Sequence, residues 1–204
     1  MKIIGLMGAA GAGKDTTAEI IAASTPGVIT FAFATRLREE IAAAFGIDAR
    51  VLTDRALKET PLEQLALRRC TDPGFCSYAW ELSTLNAIRP RTIMQRWGDW
   101  RRGQNPDYFL GPAEAARVRA VFSGLELMVV TDVRYDNEAA WVARYSGRLW
   151  RVIRPGLPVT SSHSSEHSTS HIHAHAAISN DGSVDQLRRV VVDILTPMVS
   201  HAAQ

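Results

Sequence analysis

Gly8-Ala9-Ala10-Gly11-Ala12-Gly13-Lys14 lies between two segments of opposite character. Before it runs Lys2-Ile3-Ile4-Gly5-Leu6-Met7, a continuous apolar stretch that predicts a buried strand ended by glycine. After it, Ala18, Ile20, Ile21 and Ala22 supply the apolar content of a helix predicted over residues 14–23, which Ser24-Thr25-Pro26-Gly27 stops. The spacing G-x-x-x-x-G-K, set between a strand and a helix, is a pattern with a direct chemical reading. Glycines let the backbone wrap closely around an anion. Successive N–H groups then form an anion-binding nest, and the helix that follows points its positive end into it. Lys14 adds a mobile charge suited to β- and γ-phosphates. One position departs from the pattern. Asp15 stands where a hydroxyl residue is expected to place its oxygen on Mg²⁺, and Thr16 comes next. A carboxylate there can hold the metal, directly or through water, or act on a phosphoryl acceptor.

Outward from this loop, residues 28–33 predict a second buried strand. Thr35 is positioned to cap a helix running to Phe45, whose Leu37, Ile41, Ala44 and Phe45 share one face and which Gly46 closes. A β-α-β-α opening argues for an α/β fold, a parallel sheet flanked by helices. Residues 48–105 are polar and arginine-rich and predict short helices, one over 92–102. Further on, the pattern predicts a helix over 112–122, a buried strand over 126–131, a helix over 137–145 stopped by Gly147, and a strand over 148–153. A serine- and histidine-rich loop or flexible arm covers 154–175. A short strand over 176–179 and a helix capped by Ser183 and running to about Leu195 complete the order. No internal repeat and no second domain are evident.

The 204 residues suit one domain with a full core, and 46% hydrophobic with 22% charged residues is an ordinary globular composition. A formal charge of +2 gives no case for nucleic acid. Of 23 basic residues only Lys2, Lys14 and Lys58 are lysines; the other 20 are arginines, which hold phosphate in a planar, bidentate way. Genome composition gives the same skew. Cys70 and Cys76 lack the second pair a zinc site needs and read as two reduced thiols. The apolar N-terminus stops at Gly8, short of a signal sequence, and no run reaches the length of a membrane span.

A second candidate site follows the strand at 126–131. Asp132 would sit at the carboxyl end of a buried parallel strand, the ligand edge of an open α/β sheet, where an acid holds Mg²⁺ or its waters. Arg134 would reach a transferring phosphoryl group. The alternative is a surface ion pair of these residues with Glu138, which is worth little. For a phosphorylated acceptor, Arg36 and Arg38 after the second strand, Lys58, and the cluster Arg89, Arg91, Arg96, Arg101 and Arg102 are candidates. Trp97 and Trp100 beside that cluster can stack on a base, although core packing is the commoner fate of tryptophan. His163, His167, His171, His173 and His175 resemble a metal cluster only superficially, since no acid–histidine motif accompanies them.

These residues resemble, in order, the motifs of the deoxynucleoside monophosphate kinases of tailed bacteriophages. Gly8 to Thr16 with Ala18 is similar to that family's phosphate loop. Phe33-Ala34-Thr35-Arg36-Leu37-Arg38-Glu39 is similar to its Phe-Ala-x-x-Leu-Lys/Arg-Glu segment, and Pro90-Arg91-Thr92-Ile93-Met94-Gln95 with Gly98 to its Pro-Arg-x-x-x-Gln…Gly helix. Asp132-Val133-Arg134-Tyr135-Asp136-Asn137-Glu138 resembles its Asp-Val-Arg-Phe-x-Asn-Glu signature. His163-Ser164-Ser165-Glu166 and Ile178-Ser179-Asn180-Asp181-Gly182 resemble its tail. The resemblance implies a P-loop NTPase fold of the nucleoside monophosphate kinase type with a mobile lid or arm. It implies one kinase domain over 1–204, with a core of about 1–47 and 112–200 and a helical, acceptor-binding insertion of about 48–111.

The implied reaction moves the γ-phosphoryl of ATP to a deoxynucleoside monophosphate with Mg²⁺, giving ADP and a deoxynucleoside diphosphate. Gly8, Ala9, Ala10, Gly11, Ala12, Gly13, Lys14, Asp15 and Thr16 would bind ATP, with Lys14 at the transferred group and Arg134 beside it. Asp15 and Asp132 are the expected metal residues. Arg38, Arg91 and Gln95 would lie on the acceptor side, joined by Arg36, Lys58 and Trp97 from the reading of the residues themselves. Trp97-Gly98-Asp99-Trp100 and the extra histidines after Glu166 depart from the family pattern. Expected partners are ATP and the small-molecule acceptor, with no nucleic acid and no membrane; a homodimer is left open. The expected location is cytoplasmic, the host cytoplasm if phage-encoded. Two other readings stand beside this one. A kinase of another phosphorylated acceptor, such as phosphomevalonate or a coenzyme precursor, shares loop and fold. A nucleotide-binding module without transfer is the other; a GTPase would need Asn-Lys-x-Asp, and no lysine follows Lys58.

Overall fold

The computed structural model describes residues 1–54, 56–157 and 171–200. Five parallel strands form one sheet in the order β2-β3-β1-β4-β5: β1 Lys2–Met7, β2 Val28–Phe31, β3 Leu127–Val130, β4 Arg148–Ile153 and β5 Ala176–Ser179. Central β1 pairs with β3 on one side (Ile4 opposite Val129) and β4 on the other (Leu6 opposite Trp150). The apolar run of β1 is explained by this position, since both of its faces are covered.

The chain divides into two compact units, Met1–Phe33 with Pro112–Gln204, and Ala34–Gly111. In the first, helices α1 (Lys14–Ser24) and α7 (Val184–Ser200) cover one face of the sheet. Ile4, Leu6, Leu127, Val129, Trp150 and Ile178 alternate onto that face and meet Ile20, Ile21, Leu187, Val191 and Leu195. On the opposite face lies α6 (Asp136–Arg144), close enough that a Cβ on Gly5 would stand 3.2 Å from Val142. This is an α/β sheet with helices on both faces, with the glycine loop directly after its middle strand.

The second unit is helical: most of α2 (Phe33–Phe45), α3 (Pro73–Tyr78) and α4 (Pro90–Gln104), joined by short 3₁₀ turns and leading into α5 (Leu110–Phe122). Phe75, Trp97 and Trp100 form its aromatic centre, with Phe75 and Trp97 centroids 4.5 Å apart. Within this unit α2 packs its Leu37 towards Gly98 of α4. Cys70 and Cys76 are free and partly buried here, and burial pushes the Cys70 thiol up to about 12.

Two boundaries differ from expectation for a physical reason. The strand expected over 28–33 ends at Phe31, and α2 begins at Phe33, so Thr35 lies inside the helix. The first amide is satisfied from elsewhere: Asp132 Oδ1 accepts from Phe33 N at 2.8 Å across a sequence separation of 99. No local pattern contains such a cap. At the other end Ser183 and Gln186 form a reciprocal cap on α7, Gln186 N to Ser183 Oγ at 3.3 Å and Ser183 N to Gln186 Oε1 at 2.7 Å. The helix continues through Pro197 to Ser200, and Lys2 Nζ donates to the Met198 carbonyl.

Candidate functional site

The glycine loop is built by three glycines with positive φ, 141° at Gly8, 80° at Gly11 and 103° at Gly13. A Cβ on Gly8 would meet the Val152 carbonyl of β4, so the chain can leave β1 at this angle only without a side chain. Gly13 is left-handed and no side chain caps α1 there, which leaves the positive end of the helix facing the loop. Thr17 is fully buried, and its N and Oγ1 both donate to Gly13 O at 2.9 Å. Its hydroxyl is therefore committed to the backbone; Asp15 and Thr16 are the other oxygen-bearing side chains of the first turn. Lys14 Nζ donates to Gly8 O and Ala9 O, each at 2.8 Å, so the ammonium is held at the rim of the loop.

A residue that the sequence reading passed over completes the loop. Asn180, just after β5, donates from Nδ2 to Ala12 O at 2.8 Å, and its amide sits where a Cβ on Gly13 would be. Its own N–H donates to Ile153 O at 2.7 Å, which fixes Asn180 to the end of β4. The sequence signal was there, since Asn180 belongs to the Ile178-Ser179-Asn180-Asp181-Gly182 segment, but only the pairing of β4 with β5 brings it to the loop.

Asp132 and Arg134 belong to the same edge of the sheet as the loop. Val133 N donates to Leu6 O at 3.1 Å, drawing this segment against the end of β1 two residues before Gly8. Asp132 spends one carboxylate oxygen on Phe33 N. Glu138 is 2% exposed; its Oε2 accepts the amides of Arg134 (2.8 Å) and Tyr135 (3.2 Å), which shapes the turn into α6. Asp136 receives His171 Nε2 at 2.6 Å. Burial pushes the His175 imidazole below its ordinary value, aided by the charges of Arg148 and His173, and its Nδ1 accepts from Leu149 N at 3.1 Å. Among the described residues no group of three or more His, Cys, Asp or Glu is arranged to hold a metal. His163, Glu166 and His167, and with them most of the expected arm, lie outside the described residues.

In the second unit the expected acceptor residues fall into separate places. Lys58 and Arg91 are brought together: Arg91 N donates to Lys58 O at 3.3 Å, and Arg91 Nε meets the carboxylate of Glu59. Gln95 follows Arg91 one turn along α4 and is half-buried. Arg38 is half-buried on α2; Arg36 projects from α2 with 49% of its side chain exposed. Trp97 differs from the expectation of a base-stacking ring. It is 1% exposed, packed on Phe75 and Trp100, with its indole N–H given to Glu40 Oε2 at 2.9 Å. Its area is spent on the core of the unit, where so large a ring contributes most.

No family model matches this chain, and no curated protein matches it. Among solved structures it is similar to the dephospho-CoA kinase from Campylobacter jejuni, at 13% identity and TM-score 0.48 with 97% of each chain covered. It is also similar to TT1252 from Thermus thermophilus, at 18% identity and TM-score 0.47 with 97% of this chain and 98% of the other covered. No helix among the described residues is long and apolar enough to cross a membrane.

Proposed function

We propose that the chain is a P-loop kinase that transfers the γ-phosphoryl of ATP to a deoxynucleoside monophosphate. The observation that carries this reading is the glycine loop closed by Asn180 at the carboxyl end of the central strand, with Asp132 and Arg134 on the same edge. The cradle fits a polyphosphate: it is formed by backbone, Gly8 and Gly13 sit where Cβ atoms have no room, and it opens onto an uncapped helix N-terminus. The choice of acceptor is supported by the ordered likeness of the five sequence segments to the phage-type deoxynucleoside monophosphate kinases.

In this reading Lys14 follows the β- and γ-phosphates and offsets charge as the bond to the leaving ADP lengthens. Mg²⁺, when bound with ATP, would neutralise the phosphate oxygens, and Asp15 and Asp132 are the residues assigned to hold it or its waters. Arg134 offers a bidentate guanidinium to the transferring group. Arg36, Arg38, Lys58, Arg91 and Gln95 of the second unit are assigned to the acceptor. No side-chain base is required, since the acceptor phosphate is already an anion at neutral pH, its second pKa being about 6. In-line transfer between two anions is then a matter of positioning and charge.

A coupled assay of ADP release with each common deoxynucleoside monophosphate tests the reading. Turnover that depends on one or more of them, with the matching diphosphate formed, is the expected result. ATP hydrolysis indifferent to every monophosphate removes the kinase reading; transfer to a different phosphorylated acceptor, and to none of these, removes the acceptor.

A further inference from the structure

Glu40 lies one turn after Arg36 on α2, and only 7% of its side chain is exposed. Its carboxylate accepts four hydrogen bonds. Oε1 takes Arg36 Nε at 2.9 Å and Tyr108 Oη at 2.5 Å; Oε2 takes Trp97 Nε1 and Arg101 Nε, each at 2.9 Å. Burial alone would raise this carboxyl, but the bonds from Tyr108, Trp97 and Arg101 and the charge of Arg101 outweigh it and hold it below its ordinary value. A buried anion is a poor way to stabilise a small helical unit, because apolar residues of similar volume usually do as well or better. Its retention calls for a reason beyond packing.

The two arginines it binds are treated differently. Arg101 is 20% exposed and enclosed by aromatic faces, its guanidinium 4.1 Å from the Trp100 centroid and 5.0 Å from that of Tyr108. It neutralises Glu40 inside the unit. Arg36 gives Glu40 only its Nε edge. Half of its side chain is exposed, its Nη1 stands 3.8 Å from Glu39 Oε2, and Tyr108 is also hydrogen-bonded to the group. A guanidinium held by Nε keeps two parallel N–H groups at its far end, the geometry that grips a phosphate bidentately. Of the two guanidinium groups facing this carboxylate, Arg36 is the one that reaches the surface, with 49% of its side chain exposed against 20% for Arg101.

We propose that Glu40 is a positioning residue that fixes the fork of Arg36 for the phosphate of the acceptor, with Arg101, Trp97 and Tyr108 holding Glu40 in place. This rests on the kinase reading above. The test is a double-mutant cycle on the full chain, measuring kcat and the KM values for ATP and for the best deoxynucleoside monophosphate. Glu40→Gln is expected to raise the acceptor KM at least about fivefold, the scale of one lost hydrogen bond, with the ATP KM unchanged. Arg36→Ala raises it further, and adding Glu40→Gln to Arg36→Ala changes nothing more, because Glu40 then has nothing to position. A purely structural Glu40 would instead add its effect in both backgrounds and move both KM values; that result overturns the proposal, as does an unchanged acceptor KM in Glu40→Gln. Should Glu40→Gln fail to fold, Arg36→Lys at the exposed position gives the same decision. It keeps the charge but cannot bind Glu40 through Nε and present a fork, so its acceptor KM should rise nearly as far as that of Arg36→Ala, and a wild-type KM overturns the proposal. A wild-type enzyme that phosphorylates no deoxynucleoside monophosphate overturns the acceptor assignment and the proposal together, whereas wild-type transfer with an additive cycle overturns the proposal alone.

Discussion

Asn180 Nδ2 bonds to the carbonyl of Ala12 at 2.8 Å and occupies the space a side chain on Gly13 would need, so the last strand of the sheet clasps the phosphate loop formed by the first. Removing the clasp with Asn180→Ala takes one hydrogen bond from a partly buried carbonyl, a loss of about 1–2 kcal/mol, or roughly fivefold to thirtyfold in an equilibrium constant. That loss should appear in the KM for ATP, with the acceptor KM little changed. Equal rises in both would mean that Asn180 supports the fold at large. Gly13→Ala should be worse, since φ of 103° adds backbone strain of about 1–3 kcal/mol, and Asn180→Ala in the same chain should relieve only the clash.

Asp132 has two duties that two substitutions separate. Asp132→Asn keeps an oxygen for Phe33 N but loses the charge, so its melting temperature should stay near wild type while kcat falls and more Mg²⁺ is needed for half-maximal rate. Asp132→Ala also leaves the first amide of α2 unsatisfied, a cap loss of about 0.5–2 kcal/mol, and should melt earlier as well. A Mg²⁺ dependence unchanged in Asp132→Asn would reduce this residue to its capping role.

Lys14→Ala and Arg134→Ala address the transferring group. Each should lower kcat on the order of 10²–10³-fold, the scale of losing one preorganised charge donor. Far-ultraviolet circular dichroism and the unfolding midpoint should remain close to wild type, because both side chains contribute to charge placement more than to the core. Retained turnover in Lys14→Ala would contradict the assignment of the loop.

Glu114 links pH to stability. The Arg117 guanidinium, bonded to it at 2.6 Å, together with Tyr145 and Trp141 holds its carboxyl at about 2, against burial that would raise it. The ordinary glutamate value is about 4.3. The folded state therefore prefers the ionised form, and the contribution is fully present above about pH 4.3 and disappears as pH falls towards 2. Urea midpoints measured at pH 7, 4 and 3 should decline for wild type, and Glu114→Gln should start lower at pH 7 and decline less. Parallel curves for the two proteins would show that Glu114 does not carry the acid sensitivity. The carboxylate is partly exposed, so the difference will shrink in high salt.

Much of this molecule is readable from local pattern. The span of β1 and the start of α1 follow from an apolar run and a glycine-lysine turn, and β4 and β5 were expected at the residues where they occur. Those segments are legible because strand burial and helix initiation depend on neighbours a few residues away. The start of α2 is not legible locally because its cap is contributed by Asp132, and the burial of Trp97 is not legible because a tryptophan in an arginine-rich helix has the same local appearance whether it faces solvent or Phe75.

Residue order alone marked a glycine-lysine loop, an α/β sheet around it and the acid and arginine that follow the third strand, since each is a short-range arrangement of side-chain types. Tertiary structure decided the rest. It put Asn180 under the loop, spent one oxygen of Asp132 on Phe33, turned Trp97 inward, and gathered four donors on Glu40, an acid with nothing in its own neighbourhood of sequence to mark it. The reason is the same in each case. A hydrogen bond across the sheet or between helices joins residues tens of positions apart, and which partners meet is set by strand order and helix packing, quantities that no local window contains.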